Sequence, residues 1–104
     1  MKEIVSIEQY QEIISRENAI ILFTANWCPD CIVIKPFMPS IVEKYSDYNF
    51  YSINRDHLMD LCIELEIFGI PSFVAFKGGK EVGRFVNKDR KTRQQIEDFI
   101  ESLA

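Results

Sequence analysis

An α/β domain with a central mixed sheet of about four strands and helices on both faces is predicted for this chain by three features of its pattern. Largely apolar runs rich in β-branched residues alternate with amphipathic helical stretches through most of its length. A Gly78-Gly79 pair then joins two strand-like runs as a hairpin. A last amphipathic stretch ends the chain. The resulting order is α-β-α-β-α-β-β-α, in which helices alternate with strands early and an antiparallel hairpin closes the sheet.

Each element has its own signal. Ser6-Ile7-Glu8-Gln9 reads as a helix start, with Ser6 as N-cap and Gln9 completing a capping box. Tyr10, Ile13 and Ile14 supply the apolar face that follows. Ala19 to Ala25 is apolar almost throughout and reads as a strand buried on both faces. A second helix is expected from near Cys28 to about Tyr45, kinked at Pro36. Asn49 to Asn54 reads as a strand. Asp56 is expected to cap a third helix, on which Leu58, Leu61, Cys62 and Leu65 form one stripe. Ser72 to Lys77 and Glu81 to Val86 are the hairpin strands. Thr92 to Leu103 makes the last helix, with Ile96, Phe99, Ile100 and Leu103 facing inward.

Composition bounds the functional classes. The 104 residues suit one domain, spanning 1–104, and 47% hydrophobic residues are enough for a core without a metal or disulfide staple. A net charge of −4 argues against a general nucleic-acid surface. The longest apolar run, Ala19 to Phe23, is far short of the ~20 residues of a membrane span. An early Glu3 and the lack of a long apolar stretch near Met1 do not suit a secretory signal, so a cytoplasmic protein is expected.

Three cysteines are too few for a disulfide scaffold, and Cys28 and Cys31 are spaced Cys-x-x-Cys. In a reducing compartment that spacing points to redox chemistry or metal. A structural zinc site would need four converging ligands, and the chain holds three cysteines and one histidine; no metal site is assigned. The pair follows a buried strand and opens a helix. Unpaired N–H groups and the helix dipole at that position stabilise a Cys28 thiolate, which is expected to be exposed. Cys31, in the first turn, is within reach to resolve a mixed disulfide formed by Cys28. Pro29 suits the first helical position and Asp30 the first turn; both are also expected to tune the couple. Asp30, negative beside a Cys28 thiolate, works against the dipole and lowers the reduction potential.

Trp27-Cys28-x-x-Cys31, Pro36 five residues after the second cysteine, Gly69-Ile70-Pro71-Ser72, and the Phe76-Lys77-Gly78-Gly79 turn together resemble the thioredoxin family. The resemblance spans nearly the whole chain in element order and length. It implies a thioredoxin-like fold and a thiol–disulfide oxidoreductase that acts on protein or small-molecule disulfides and is recharged by a thioredoxin reductase-like donor. It also implies that Pro71 is a cis-proline beside the thiols, that the Ile70 backbone pairs with substrate, and that Trp27 lies against the site. Thioredoxins usually place a buried Asp where this chain has Leu22, and a Lys where it offers Ser52 or Ile53. Pro29-Asp30 replaces the usual Gly-Pro. The Trp-Cys-Pro-Asp-Cys centre is similar to that of small eukaryotic thioredoxin-related proteins, and Cys-Pro-x-Cys also resembles glutaredoxins.

A glutathione-dependent, glutaredoxin-like enzyme and a redox-sensing binding module without turnover are the alternative functions. Trp27 and the Gly-Ile-Pro-Ser segment favour the thioredoxin-like reading over the glutaredoxin-like one. Cys62, on an apolar stripe, reads as an inert buried residue. The cluster from Lys88 to Arg93 reads as the solvated start of the last helix. A monomer is expected, with no cofactor and no nucleic-acid or membrane partner.

Overall fold

The computed structural model describes residues 1–103; Ala104, the last residue of the expected domain, lies outside them. Strands β1 (Lys2–Glu3), β2 (Ala19–Thr24), β3 (Asn49–Asn54), β4 (Ser72–Lys77) and β5 (Lys80–Phe85) form one sheet in the order β1-β3-β2-β4-β5. β1 and β2 flank β3 in parallel, and β4 pairs antiparallel with both β2 and β5. The sheet is mixed, as expected, but has five strands rather than about four. β1 is the addition. Its two residues are both exposed, so it has no apolar pattern to announce it, and only Ile4 beyond it is buried.

Period-two alternation sorts the strand side chains onto two faces. Ile21, Phe23, Ile53, Val74 and Phe76 point to one face. There they meet Tyr10 and Ile13 of α1 (Ile7–Arg16) and Leu61 and Cys62 of α4 (Met59–Glu64). Ile20, Leu22, Phe50, Phe73 and Ala75 point to the other. They pack against Ile34 of α2 (Pro29–Ile34), Met38 and Ile41 of α3 (Met38–Lys44), and Ile96 and Ile100 of α5 (Arg93–Glu101). Helices therefore cover both faces, as α/β patterning requires.

The caps follow the expected chemistry with one difference. Ser6 Oγ accepts the Gln9 N–H at 3.1 Å, but Gln9 Oε1 reaches back to Val5 N–H at 2.8 Å instead of to the N-cap. The complete capping box belongs to Thr92 and Gln95, at the start of α5.

The expected continuous helix from Cys28 to Tyr45 is instead broken in two, with a 3₁₀ turn at Lys35–Phe37 between α2 and α3. Pro36 and Pro39 explain the break, because neither offers an N–H to the helical ladder and each ring crowds the preceding turn. Asp56 does not cap α4, whose N-cap is Leu58 with no side-chain cap; its carboxylate is used by the site described below. α4 ends with Glu66 at φ 59°, where Ile67 N–H bonds the Cys62 carbonyl at 2.9 Å and Glu66 N–H the Ile63 carbonyl at 3.0 Å. This is a Schellman close with glutamate at the left-handed position that glycine favours. Glu66→Gly is expected to stabilise the fold by about 0.5–1 kcal/mol, read as a higher urea midpoint, without changing activity.

Candidate active site

The β2 strand delivers Ala25-Asn26-Trp27 to the start of α2, and Cys28 is the N-cap of that helix. Its Sγ accepts the Cys31 backbone N–H at 3.2 Å. The sulfur thus occupies the place of a capping oxygen and receives one of the orphan donors of the helix start. Pro29 sits in the first turn, where its missing N–H costs nothing, and Asp30 follows it. Both cysteines are free thiols.

Cys28 is more enclosed than the exposed thiol expected, with 5% of its surface open. The segment before β4 is the reason: Cys28 Sγ lies 3.9 Å from the Ile70 carbonyl, to which its S–H donates. The Ile70-Pro71 peptide bond is cis. Trp27, by contrast, is 57% exposed. Its Nε1–H donates to Asp56 Oδ2 at 2.8 Å, and the Arg55 guanidinium lies over its ring at 4.9 Å. The loop after β3 therefore holds the indole at the rim of the dithiol. Nothing in the sequence links Trp27 to Asp56; the parallel pairing of β2 with β3 brings their ends together.

Cys31 lies deeper, at 1% exposure. Burial pushes its thiol up to about 11 and a hydrogen bond to Cys28 adds to the shift, while Thr24 and the Ala25 backbone work against it. At neutral pH it holds its proton. A cavity of about 390 Å³ reaches Cys31 and is lined by Leu22, Thr24, Lys35, Met38, Val42 and Ser52 among others. Leu22 and Ser52 face each other across β2 and β3. The positions where thioredoxins usually carry a buried acid and lysine are thus brought together as an uncharged pair.

Asp30 is not a free charge. Its Oδ1 accepts from Arg90 Nε at 2.9 Å, from the loop between β5 and α5. That loop departs from the expected solvated cluster at one residue. Lys88, Asp89 and Arg90 are exposed, but Lys91 is 1% exposed. Charge composition gives no sign of this, because a buried lysine looks like any other in a basic run. Among the described residues, no group of three His, Cys, Asp or Glu converges as a metal site, and no helix is long and apolar enough to cross a membrane.

Cys62 is buried at 1% on α4, and burial pushes its thiol up to about 11, with Arg55 working slightly against it. Iodoacetamide labelling of the folded, reduced protein followed by mass spectrometry is expected to leave Cys62 unmodified, and Cys62→Ala to retain redox activity. Rapid labelling of Cys62 would contradict this.

The thioredoxin family model matches residues 2–102. Human thioredoxin is 36% identical over 107 residues, covering 100% of this chain and 99% of the relative. Thioredoxin of Callithrix jacchus is 35% identical over 105 residues, covering 96% and 99%. The structure of Plasmodium falciparum thioredoxin superposes with a TM-score of 0.88 at 25% identity, covering 100% of both chains. With its Cys-x-x-Cys pair at a helix start and this likeness along its whole length, the chain belongs to the thioredoxin family of thiol–disulfide oxidoreductases.

Proposed function

We propose that the chain works in the cytoplasm as a monomeric disulfide reductase, with protein or small-molecule disulfides as substrates and a thioredoxin reductase-like flavoprotein as electron donor. The observation that carries this reading is the placement of Cys28 as N-cap sulfur beside the Ile70 carbonyl, with the Trp27 ring exposed at the rim. The Cys28 thiolate attacks one sulfur of a substrate disulfide, and the other leaves as a thiolate that takes up a proton. Cys31 then loses its proton and attacks Cys28 Sγ. The second substrate thiol is released, and a Cys28–Cys31 disulfide remains. Two electrons from the donor restore the dithiol.

Ile70 offers its backbone, and Trp27 its exposed ring, to the substrate chain next to the disulfide, while Pro71, itself buried, shapes the segment that presents Ile70. Pro29 and Asp30 set the local charge and stiffness of the helix start. With the neutral Leu22–Ser52 pair, the cavity at Cys31 offers no carboxylate among the described residues to take its proton, and the Thr24 hydroxyl is the side-chain hydrogen-bond partner there besides Cys28.

Insulin disulfide reduction tests the reading. Turnover is expected with NADPH and thioredoxin reductase. Turnover only with glutathione and its reductase would make the protein glutaredoxin-like in its electron supply. Turnover with neither would leave a redox-sensing module.

A further inference from the structure

Lys91 is a full-length cation in a place where cations are costly. It is 1% exposed, in the loop between β5 and α5. Its Nζ donates to the Asn87 carbonyl at 3.2 Å, to Asn87 Oδ1 at 2.8 Å and to the Asp89 carbonyl at 2.8 Å. It also lies over the Phe85 ring at 5.1 Å. All three hydrogen-bond acceptors are neutral oxygens; none is a carboxylate. Lysines are almost never fully buried unless paired, because desolvating an ammonium costs several kcal/mol by order of magnitude. The three bonds satisfy its donors but do not neutralise its charge.

The loop that holds this charge is fastened to both halves of the site. Arg90, its neighbour, pairs with Asp30 on the dithiol helix at 2.9 Å. Ser72 Oγ donates to the Gly69 carbonyl at 2.6 Å and also approaches the Asn87 carbonyl at 3.3 Å, the same oxygen that Lys91 uses. The segment so tied runs into Ile70, whose carbonyl faces Cys28. The charged or ionisable groups acting on Lys91 are Asp89 of its own loop, then Cys31, Asp30 and Cys28 of the dithiol segment. Arg90 already meets Asp30. Asp89 and the dithiol sulfurs are the anionic groups left to Lys91, and of these only the sulfurs change charge between the reduced and disulfide forms.

We propose that Lys91 is a positioning residue for the dithiol: its buried ammonium, fixed by loop oxygens beside the site, favours negative charge on the reduced cysteine pair and makes the couple more oxidising than a neutral residue there would. The electrostatics run in the same direction. Burial alone pulls the lysine's ionisation down, and Asp89, the two sulfurs and Asp30 pull it back up. What thiolate does for the ammonium, the ammonium does for the thiolate. Because the charge is enclosed, salt screens it poorly.

The inference rests on Cys28 as the sulfur that ionises first. Lys91→Met removes the charge at similar volume, together with its three hydrogen bonds to Asn87 and Asp89. Its reduction potential, measured by equilibration with glutathione, is expected to fall by about 30 mV, a tenfold change in the equilibrium constant. Ultraviolet titration of the thiolate is expected to end at higher pH than in the wild type. Both differences should persist in high salt. A folded Lys91→Met protein with unchanged potential and titration overturns the proposal, as does a difference that high salt erases. A titration whose ionising sulfur disappears in Cys31→Ser but not in Cys28→Ser fails the assignment of the sulfur instead. Should Lys91→Met not fold, the wild type decides by NMR of the Lys91 side-chain nitrogen. Its titration is expected to lie at higher pH in the reduced protein than in the disulfide form. Identical titrations in both forms overturn the proposal.

Discussion

Cys31→Ser is expected to turn the protein into a trap: mixed with a disulfide substrate, it accumulates a covalent complex through Cys28, and insulin turnover falls to background. Cys28→Ser is expected to lose turnover without forming that complex. The asymmetry follows from position. Cys28 Sγ caps the helix and accepts the Cys31 N–H at 3.2 Å, a contact that favours the charged sulfur. Cys31 is buried and its thiol is pushed up to about 11, so it enters the reaction as an acid that must first lose its proton. Release of the mixed disulfide is therefore expected to speed up by roughly tenfold per pH unit above neutrality. Part of the shift at Cys31 comes from Cys28 itself and fades once Cys28 is bonded to substrate; the larger part, desolvation, remains. Non-reducing gels and mass spectrometry of each variant after mixing with insulin check the roles. A complex formed by Cys28→Ser and not by Cys31→Ser would reverse them.

The residues legible in the sequence are those whose signal is local. A Cys-x-x-Cys pair between an apolar run and a proline declares a strand, a thiol and a helix start within a few residues. The hairpin glycines are equally short-range. Residues whose role depends on contact across the fold are not legible. Asp56 reads as a cap, yet it holds Trp27 because β2 and β3 end side by side. Lys91 reads as solvated charge, yet the turn after β5 folds it inward onto its own carbonyls. The short β1 is silent for a different reason: two exposed residues paired to the edge of β3 need no apolar pattern. The helix break at Lys35–Phe37 is half visible, because one proline announces a kink but the second, Pro39, separates the two helices.

Gly69→Ala is expected to damage activity more than stability, and both substantially. A Cβ on Gly69 would stand 2.4 Å from the Asn87 carbonyl carbon, 2.4 Å from Lys88 N and 2.5 Å from the Asn87 oxygen. Ordinary carbon contacts lie near about 3.5–4.0 Å, so one of the two backbones has to move by about an ångström. Backbone cannot rotate away as a flexible side chain can. Forcing an extra methyl into such a contact typically costs about 1–3 kcal/mol. The displaced atoms also serve the site: the Asn87 oxygen accepts from Lys91 and Ser72, and the Ile70 carbonyl beside Cys28 is one residue from the substitution. A misplacement of about 1 Å in a positioning group can cost about 10²-fold in rate. Gly79 supplies the control. It has φ +80°, but a methyl group added there would meet nothing within 4 Å. Gly79→Ala therefore meets backbone strain of about 1–2 kcal/mol far from the thiols and keeps its turnover. Chemical denaturation and insulin reduction on both variants separate the effects. Equal stability losses with turnover lost only in Gly69→Ala place the damage at the junction between the two loops. A Gly69→Ala protein with wild-type turnover would mean that the 87–91 loop shifts without consequence for the thiols, and that its grip on the site is loose.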